Sequence, residues 1–424
     1  MNVSDSQRLT GMLEAAGWES AVDASRADLV FLNTCAVREK AESKLFSELG
    51  RIGQTEPGNG QRRPVVAVGG CVAQLRGTAL LARGMPIDIL IGPRSLDQLP
   101  GLAREALAST DGSPQLALDR PAQEAFGTRV PAKPSSSHRA LVTVMEGCNQ
   151  VCSFCVVPRA RGTEIFRPLS DIVAEVQHWV ANGVAEVVLL GQTVNAYRWD
   201  GLDFAGLLTE VASVPGLRRL RFATSHPRYL TESLNAAFAT LPNLCPHLHL
   251  PVQSGSNRTL ASMRRGYDRD DYLRKVEALR RAAPGVAIWS DVIVGYPGES
   301  EDDFRETLDL LRVATFEGLF SFSYSPRPGT VAARVADDVP PARKSDRLAR
   351  VSELQQSIQR ERNRQRIGKR ESVLFETVGR DGQLKGRSLH NRVVHCVGPA
   401  ALVGQIADVE VVSAGPNSLV GRLV

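Results

Sequence analysis

The sequence predicts an α/β protein in three parts: an N-terminal parallel α/β region, a central partial (β/α) barrel and a small C-terminal β-barrel. Three observations predict it. In the first third, short continuous apolar runs such as Val65-Val66-Ala67-Val68 alternate with helical patterns, as buried parallel strands do. From Ala140 a strand–helix rhythm recurs, which argues a full or partial parallel barrel. After Gly368 the period shortens to two, and Gly-rich turns such as Arg380-Asp381-Gly382 separate short strands, which argues a compact all-β module. The predicted divisions are an N-terminal domain over 1–125, a Ser/Pro-rich linker over 126–137, a barrel domain over 138–368 and the β-module over 369–424.

In the first part, Ser4 or Asp5 is placed to cap a helix that shows Leu9, Met12, Leu13 and Ala16 on one face and stops at Gly17. Strands are predicted at 29–32, 65–68 and 87–91. The first runs into Asn33-Thr34-Cys35 and the second into Gly69-Gly70-Cys71. Parallel sheets carry functional loops at the carboxyl ends of their strands, so Cys35 and Cys71 can meet on one edge. Taken alone, these residues fit two buried free thiols as well as two metal ligands.

The central part opens with a strand over 141–144 that delivers Gly147-Cys148-Asn149-Gln150-Val151-Cys152-Ser153-Phe154-Cys155. Three cysteines at C-x3-C-x2-C suit a cubane iron–sulfur cluster. Three thiolates leave one iron open to the amine and carboxylate of S-adenosylmethionine (SAM), whose reductive cleavage yields a 5′-deoxyadenosyl radical. A zinc site would need a fourth ligand nearby, and no further Cys or His lies close in sequence. Phe154, beside the last ligand, is either core packing or a neighbour of the SAM adenine. A helix capped by Ser170 and stopped by Gly183 follows, then strands over 187–190, 220–223, 247–250, 286–293 and 319–324, with helices near 230–240, 268–283 and 300–314. Loops after the strands carry Gln192 and Asn195, Ser225 and His226, and Gln253. In a parallel barrel these lie at one mouth, so Gln192, Asn195, Ser225 and Gln253 are candidates for binding SAM. His226 and His249 fit core histidines and pocket residues equally.

Residues 343–370 hold ten basic side chains, opposed only by Asp346, Glu353 and Glu361. With Arg380, Lys385, Arg387, Arg392 and Arg422 of the β-module, they predict a polyanion contact. Cys245 and Cys396 read as structural. The 424 residues are 43% hydrophobic and 23% charged, with net charge +5, which is ordinary for a globular chain. No apolar run approaches the ~20 residues of a membrane span. Seven unevenly spread cysteines do not form a disulfide framework. These features predict a cytoplasmic protein without a membrane partner.

The cysteine triplet, together with Met1-Asn2-Val3-Ser4-Asp5-Ser6, Asn33-Thr34-Cys35-Ala36-Val37-Arg38-Glu39, Thr224-Ser225-His226-Pro227 and Tyr324-Ser325-Pro326-Arg327-Pro328-Gly329-Thr330, resembles the MiaB-type tRNA methylthiotransferases over nearly the whole length. The resemblance implies a methylthiotransferase N-terminal domain, a radical-SAM partial barrel and an RNA-binding TRAM barrel. It implies addition of a methylthio group to C2 of N6-isopentenyladenosine at position 37, in the anticodon loop of tRNA. Two SAM molecules and two [4Fe–4S] clusters would take part, with an electron donor such as flavodoxin or ferredoxin. Cys148, Cys152 and Cys155 would hold the radical-SAM cluster, and Cys35 and Cys71 the auxiliary one. The family's third auxiliary ligand sits in a Cys-Gln-Met-Asn segment, and this chain begins at Met1-Asn2. The natural start is therefore expected to lie upstream, with the missing strand and cysteine. The stretch Gly162-Thr163-Glu164-Ile165-Phe166-Arg167 departs from the more basic, Ser-containing family pattern. Two other readings remain: a sister enzyme acting on threonylcarbamoyl-adenosine in tRNA, and a non-catalytic RNA-binding relative with a decayed auxiliary site.

Overall fold

The computed structural model describes residues 1–36, 39–54, 63–109, 112–118, 138–379 and 381–424. The expected linker over 126–137, together with Val37, Arg38 and Arg380, lies outside the described residues. The chain forms two units. The first comprises 1–134, 146–150 and 155–165, and the second 135–145, 151–154 and 166–424.

The first unit is built on four parallel strands in the order Leu29–Thr34, Val65–Gly70, Ile89–Ile91 and Gln115–Ala117. Every residue of Val65–Gly70 is buried, because helices cover both faces of the sheet. Val66, Val68 and Leu90 meet Leu45, Leu49 and Ile52 of the helix Glu39–Gly53. Val65, Ala67, Ile89 and Ile91 meet Leu9, Leu99 and Ala103 on the other side. Each of the Val, Leu and Ile side chains contributes about 1.5–3 kcal/mol by leaving water. The first helix spans Asn2–Ala15, so Ser4 and Asp5 lie inside its first turn, and no side chain caps it. The expected cap fails because Asp5 is buried against the Arg161 guanidinium. The sequence does not predict the short strand Gln115–Ala117; Gln115 and Ala117 are partly buried, Leu116 is exposed, and the strand forms the sheet edge.

The second unit contains six parallel strands in chain order, as the βα rhythm implied. Arg219–Ala223 and Arg139–Thr143 flank Glu186–Leu190, and His247–His249 and Gly318–Ser323 flank Ala287–Val294. A bridge between Leu220 and Leu244 and the bond from Ser225 N to His249 O join the two halves. Among the described residues no pairing joins the first strand to the last, so the barrel is partial. Strand residues alternate, and one set (Ala140, Val142, Val187, Leu189, Leu220, Phe222, Leu248, Ile288) packs against Ile172, Leu208, Tyr272, Leu279 and Leu311 of the outer helices. The other set faces the barrel interior. Pro168, not Ser170, occupies the N-cap of Leu169–Ala181, and Ser170 sits in the first turn. Asp268 and Ser300 do cap their helices, each with a reciprocal box.

Five strands, Arg370–Val378, Leu384–Ser388, Val393–Val397, Ser418–Leu423 and Ile406–Ala414, close a small barrel in that order. Leu384–Ser388 escaped sequence analysis because Lys385 and Arg387 interrupt its apolar pattern and Gly386 weakens it. That glycine is required: a Cβ there would lie 2.3 Å from Leu374 O on the neighbouring strand. Among the described residues no helix is long and apolar enough to cross a membrane.

Candidate functional site

The cysteine loop divides between the two units, and each part is fixed locally. In the first unit, Gly147 has φ 80° and no room for a Cβ, which would approach Thr163 O to 2.0 Å. Cys148 N donates to Gly162 O at 3.1 Å. The Asn149 backbone N–H donates to Glu164 and the Asn149 Oδ1 accepts from Glu164 N, so Glu164 ties down the loop in the stretch that departs from the family pattern. Cys148 is buried and Cys155 half-buried; the sulfurs accept from Gln150 N and Val157 N, each at 3.4 Å. Such N–H···S bonds favour a thiolate.

In the second unit, Arg265 Nη1 donates to Cys152 Sγ at 3.1 Å. Burial opposes the charge of Arg265, but Tyr267 and Cys152 outweigh it and raise the pKa. Ser153 is pinned through Met263 O, Ser262 O, Tyr296 Oη and Ala332 N. Phe154 packs beside Met263, Tyr296, Tyr324 and Ala332. Among the described residues no three His, Cys, Asp or Glu side chains converge on a single metal ion. A cubane differs in needing one thiolate at each of several irons, and each of the three sulfurs accepts a hydrogen bond within its own unit.

The loops after the barrel strands form a second set of features. Thr224 and Gln253 have φ of 70° and 75°, a left-handed conformation that costs a non-glycine residue on the order of 1–3 kcal/mol. Ser225 Oγ, His226 Nε2 and Gln253 Oε1 are buried with no hydrogen-bond partner among the described residues. Unpaired polar atoms at strained strand ends are what a ligand-binding mouth presents before its ligand arrives. His226 Nδ1 accepts from Arg228 N at 3.1 Å, which leaves the ring hydrogen on Nε2. Burial, with Arg265, Arg228 and Lys275 adding, lowers the His226 pKa to about 2, so the ring is neutral. Asn195 is engaged differently: its amide clamps the His226 backbone, donating to the carbonyl at 3.0 Å and accepting from the N–H at 2.8 Å. In this structure it holds one loop to the next. Gln192 is half-buried after the strand Glu186–Leu190.

Cys35 and Cys71 follow adjacent parallel strands whose last paired residues are Thr34 and Gly70. Gly70 has φ 86°, and a Cβ would sit 2.5 Å from Thr34 O, so only glycine lets the second chain turn into the helix Cys71–Arg76. Burial raises the Cys71 pKa, while a hydrogen bond and the charge of Arg161 pull it down. Arg161 is itself buried and paired with Asp5, and its Nη1 has no hydrogen-bond acceptor of N or O among the described residues. The edge thus places a fixed cation where two thiolates would gather.

The basic run splits in two. Lys344 pairs with Asp337, Arg347 with Glu299, Arg350 with Glu301, Arg362 with Glu317 and Arg366 with Glu371. Half of the run's charges thus hold the helix Pro341–Arg364 and the β-module in place. Arg343, Arg360, Arg364, Lys369 and Arg370 are exposed.

Arg265, which stands 113 residues from Cys152, and a buried clamp under the barrel are not announced by the sequence. In that clamp Glu186 is paired with Arg139 and Arg221. Arg221 donates to the carbonyls of Ser388 and Leu389, and Arg219 to those of Ser372 and Arg387. The only sequence signal was four charged residues at strand positions that otherwise alternate with apolar ones.

Residues 142–311 match the radical SAM superfamily, and residues 1–92 match the uncharacterized protein family UPF0004. A tRNA-2-methylthio-N(6)-dimethylallyladenosine synthase from Magnetococcus marinus is 45% identical over 100% of this chain and 97% of its own length. An enzyme of the same name from Geobacter sulfurreducens is 44% identical over 100% of this chain and 95% of its own. Among solved structures, the radical S-adenosylmethionine methyltransferase TsrM from Kitasatospora setae, with cobalamin and a [4Fe–4S] cluster bound, shares the fold. Its TM-score is 0.54 at 16% identity, over 77% of this chain and 68% of that one. With such identity along its whole length, this chain belongs to the tRNA-2-methylthio-N6-dimethylallyladenosine synthase family of radical SAM methylthiotransferases.

Proposed function

We propose that the protein adds a methylthio group to C2 of N6-dimethylallyladenosine at position 37 of tRNA. The observation that carries this reading is identity of 42–45% along the full chain to enzymes named for that product. Cys148, Cys152 and Cys155 hold a [4Fe–4S] cluster, with Arg265 beside Cys152 offsetting thiolate charge. When bound, that cluster and SAM supply the hydrogen-abstracting radical that an unactivated adenine C–H requires. Ser225, Gln253 and the neutral His226 offer polar atoms to SAM and the base, and Asn195 fixes the loop that carries His226. Phe154 and Gln192 lie on the same strand-end side. Cys35 and Cys71, beside Arg161, are this chain's ligands to a second [4Fe–4S] cluster. The β-module and the exposed basic residues bind the anticodon arm through phosphates, and a flavodoxin- or ferredoxin-like protein delivers electrons.

The test is anaerobic reconstitution followed by incubation with SAM, a reductant and tRNA carrying N6-dimethylallyladenosine. The 2-methylthio nucleoside and 5′-deoxyadenosine should both form. Cys152→Ala should form neither. A wild-type protein that binds this tRNA and forms no methylthio nucleoside, even with full iron loading, would overturn the reading in favour of an RNA-binding relative.

A further inference from the structure

The interior face of the barrel's last strand carries an aromatic stripe that packing only partly covers, since the Phe320 ring meets Trp289 at 5.7 Å and yet stays exposed. Phe320 and Phe322 are 46% and 42% exposed, although both stand on strand Gly318–Ser323 within the barrel wall. Leu319, one position off, faces the opposite way and packs into the core with Leu354 and Ile358. The two phenylalanines therefore face the barrel interior. Tyr324 continues the same face and packs, like Phe154 of the cysteine loop, into the cluster around Met263 and Tyr296. At the lower end, the Phe320 ring meets His249 edge-on at 6.0 Å, and His249 Nε2 bonds Asp291 Oδ1 at 2.8 Å. This dyad is only partly buried, with side chains 18% and 21% exposed. It is continuous with the strained mouth: His249 O accepts from Ser225 N, and Asp291 O accepts from Gln253 N.

We infer that Phe320 and Phe322 form the wall that receives the dimethylallyl group of the substrate nucleoside, with the His249–Asp291 pair positioning the adenine edge beside it. The inference rests on the function proposed above and names the part of the site that sets specificity for the prenylated base. An apolar wall ending on one polar dyad matches an adenine whose N6 carries both a five-carbon apolar branch and a single N–H. A phosphate or ribose would not seat on two phenyl rings. An unmodified adenine would leave the wall wet. Because both rings are already exposed, truncating them removes substrate contact and little core packing.

The test compares two anticodon stem-loop RNAs, one with N6-dimethylallyladenosine and one with adenosine at the same position, by binding to the cluster-reconstituted full chain. Loss of even one methylene from an apolar pocket is worth about tenfold or more, so the wild type should prefer the prenylated hairpin by at least about tenfold. Phe320→Ala with Phe322→Ala should bring that ratio close to one, chiefly by weakening the prenylated hairpin. Phe320→Leu with Phe322→Leu should retain most of it. An unchanged melting temperature and iron content mark the variants as folded. A preference unchanged in the alanine variant, an equal loss for both hairpins, or a wild type without preference would each overturn the assignment. Methylthio product is followed in parallel on full tRNA. Its absence in the wild type would sink the proposed function, whereas its presence with an unchanged ratio would sink only the prenyl wall.

Discussion

Arg265 Nη1 donates to Cys152 Sγ at 3.1 Å, while Arg265 Nη2 donates to Pro251 O and Nε to Tyr267 Oη. Three fixed partners leave the guanidinium no freedom to swing away, so its charge stays at the sulfur. Arg265→Met should lower iron per chain after reconstitution and speed cluster loss. The reduction potential of what remains should move to more negative values, because a nearby cation favours the added electron. Arg265→Lys should restore part of the shift. Iron content and potential equal to wild type in Arg265→Met would show the contact to be incidental.

The split of the basic run separates two kinds of arginine. Replacing Arg360, Arg364, Lys369 and Arg370 with glutamine should weaken tRNA binding and reduce the slope of log K against log salt by roughly one unit per lost phosphate contact. Arg362→Met takes the nearer arginine from buried Glu317, leaving only Arg392 at 3.9 Å, and should instead lower the melting temperature. Affinity and salt slope measured beside thermal melts tell these apart. If Arg362→Met reduced the slope without destabilising, the division drawn from the ion pairs would be wrong.

Under the barrel, burial works to raise the pKa of Glu186, but Arg221 and Arg139 outweigh it and hold it below the usual carboxylate value. A depressed carboxylate pKa contributes stability that is present above the unfolded value, near 4.3, and lost as pH falls through the folded one. Glu186→Gln should therefore cost about 3–5 kcal/mol at neutral pH, since it leaves buried guanidinium groups uncompensated. The gap from wild type should narrow below about pH 4. A gap independent of pH would mean that Glu186 acts only through packing.

Most of the fold was legible because strand runs and helix stops are local. Val65–Gly70 is apolar throughout since both faces are covered, and Gly17 and Gly183 end their helices with φ of 86° and 83°. The cysteine triplet was legible because its spacing is itself the chemical requirement. What escaped depends on partners far along the chain. Nothing adjacent to Arg265 announces Cys152, and nothing in 343–370 tells Arg362 from Arg364 until Glu317 folds against one of them. The caps failed for a related reason: Asp5 is taken by Arg161, and Pro168 takes the N-cap two positions before Ser170. Phe320 and Phe322 looked like ordinary strand residues, and only the interior face of a partial barrel makes them unusual.

His226 combines a fixed tautomer with a depressed pKa, and the two can be measured apart. Its Nδ1 is occupied by Arg228 N, so the neutral ring presents Nε2–H, which is buried and unpartnered. Burial, reinforced by the charges of Arg265, Arg228 and Lys275, puts the folded pKa at about 2. Unfolded histidine titrates near 6.5, so the unfolded chain gains a proton below that pH and the folded chain does not. The contribution of this residue to stability is thus present above about pH 6.5 and lost as pH falls, by up to about 1.4 kcal/mol per pH unit. His226→Gln keeps a side-chain N–H donor and removes the titration. Its stability should fall less steeply than wild type between pH 6.5 and 4.5, while much of its methylthiolation at neutral pH should survive. His226→Leu removes both, and should flatten the same profile while losing on the order of tenfold or more in kcat/KM, the cost of one missing hydrogen bond to a bound group. Parallel stability profiles for wild type and His226→Gln would show that the ring titrates normally. Full activity in His226→Leu would show that Nε2–H meets no ligand.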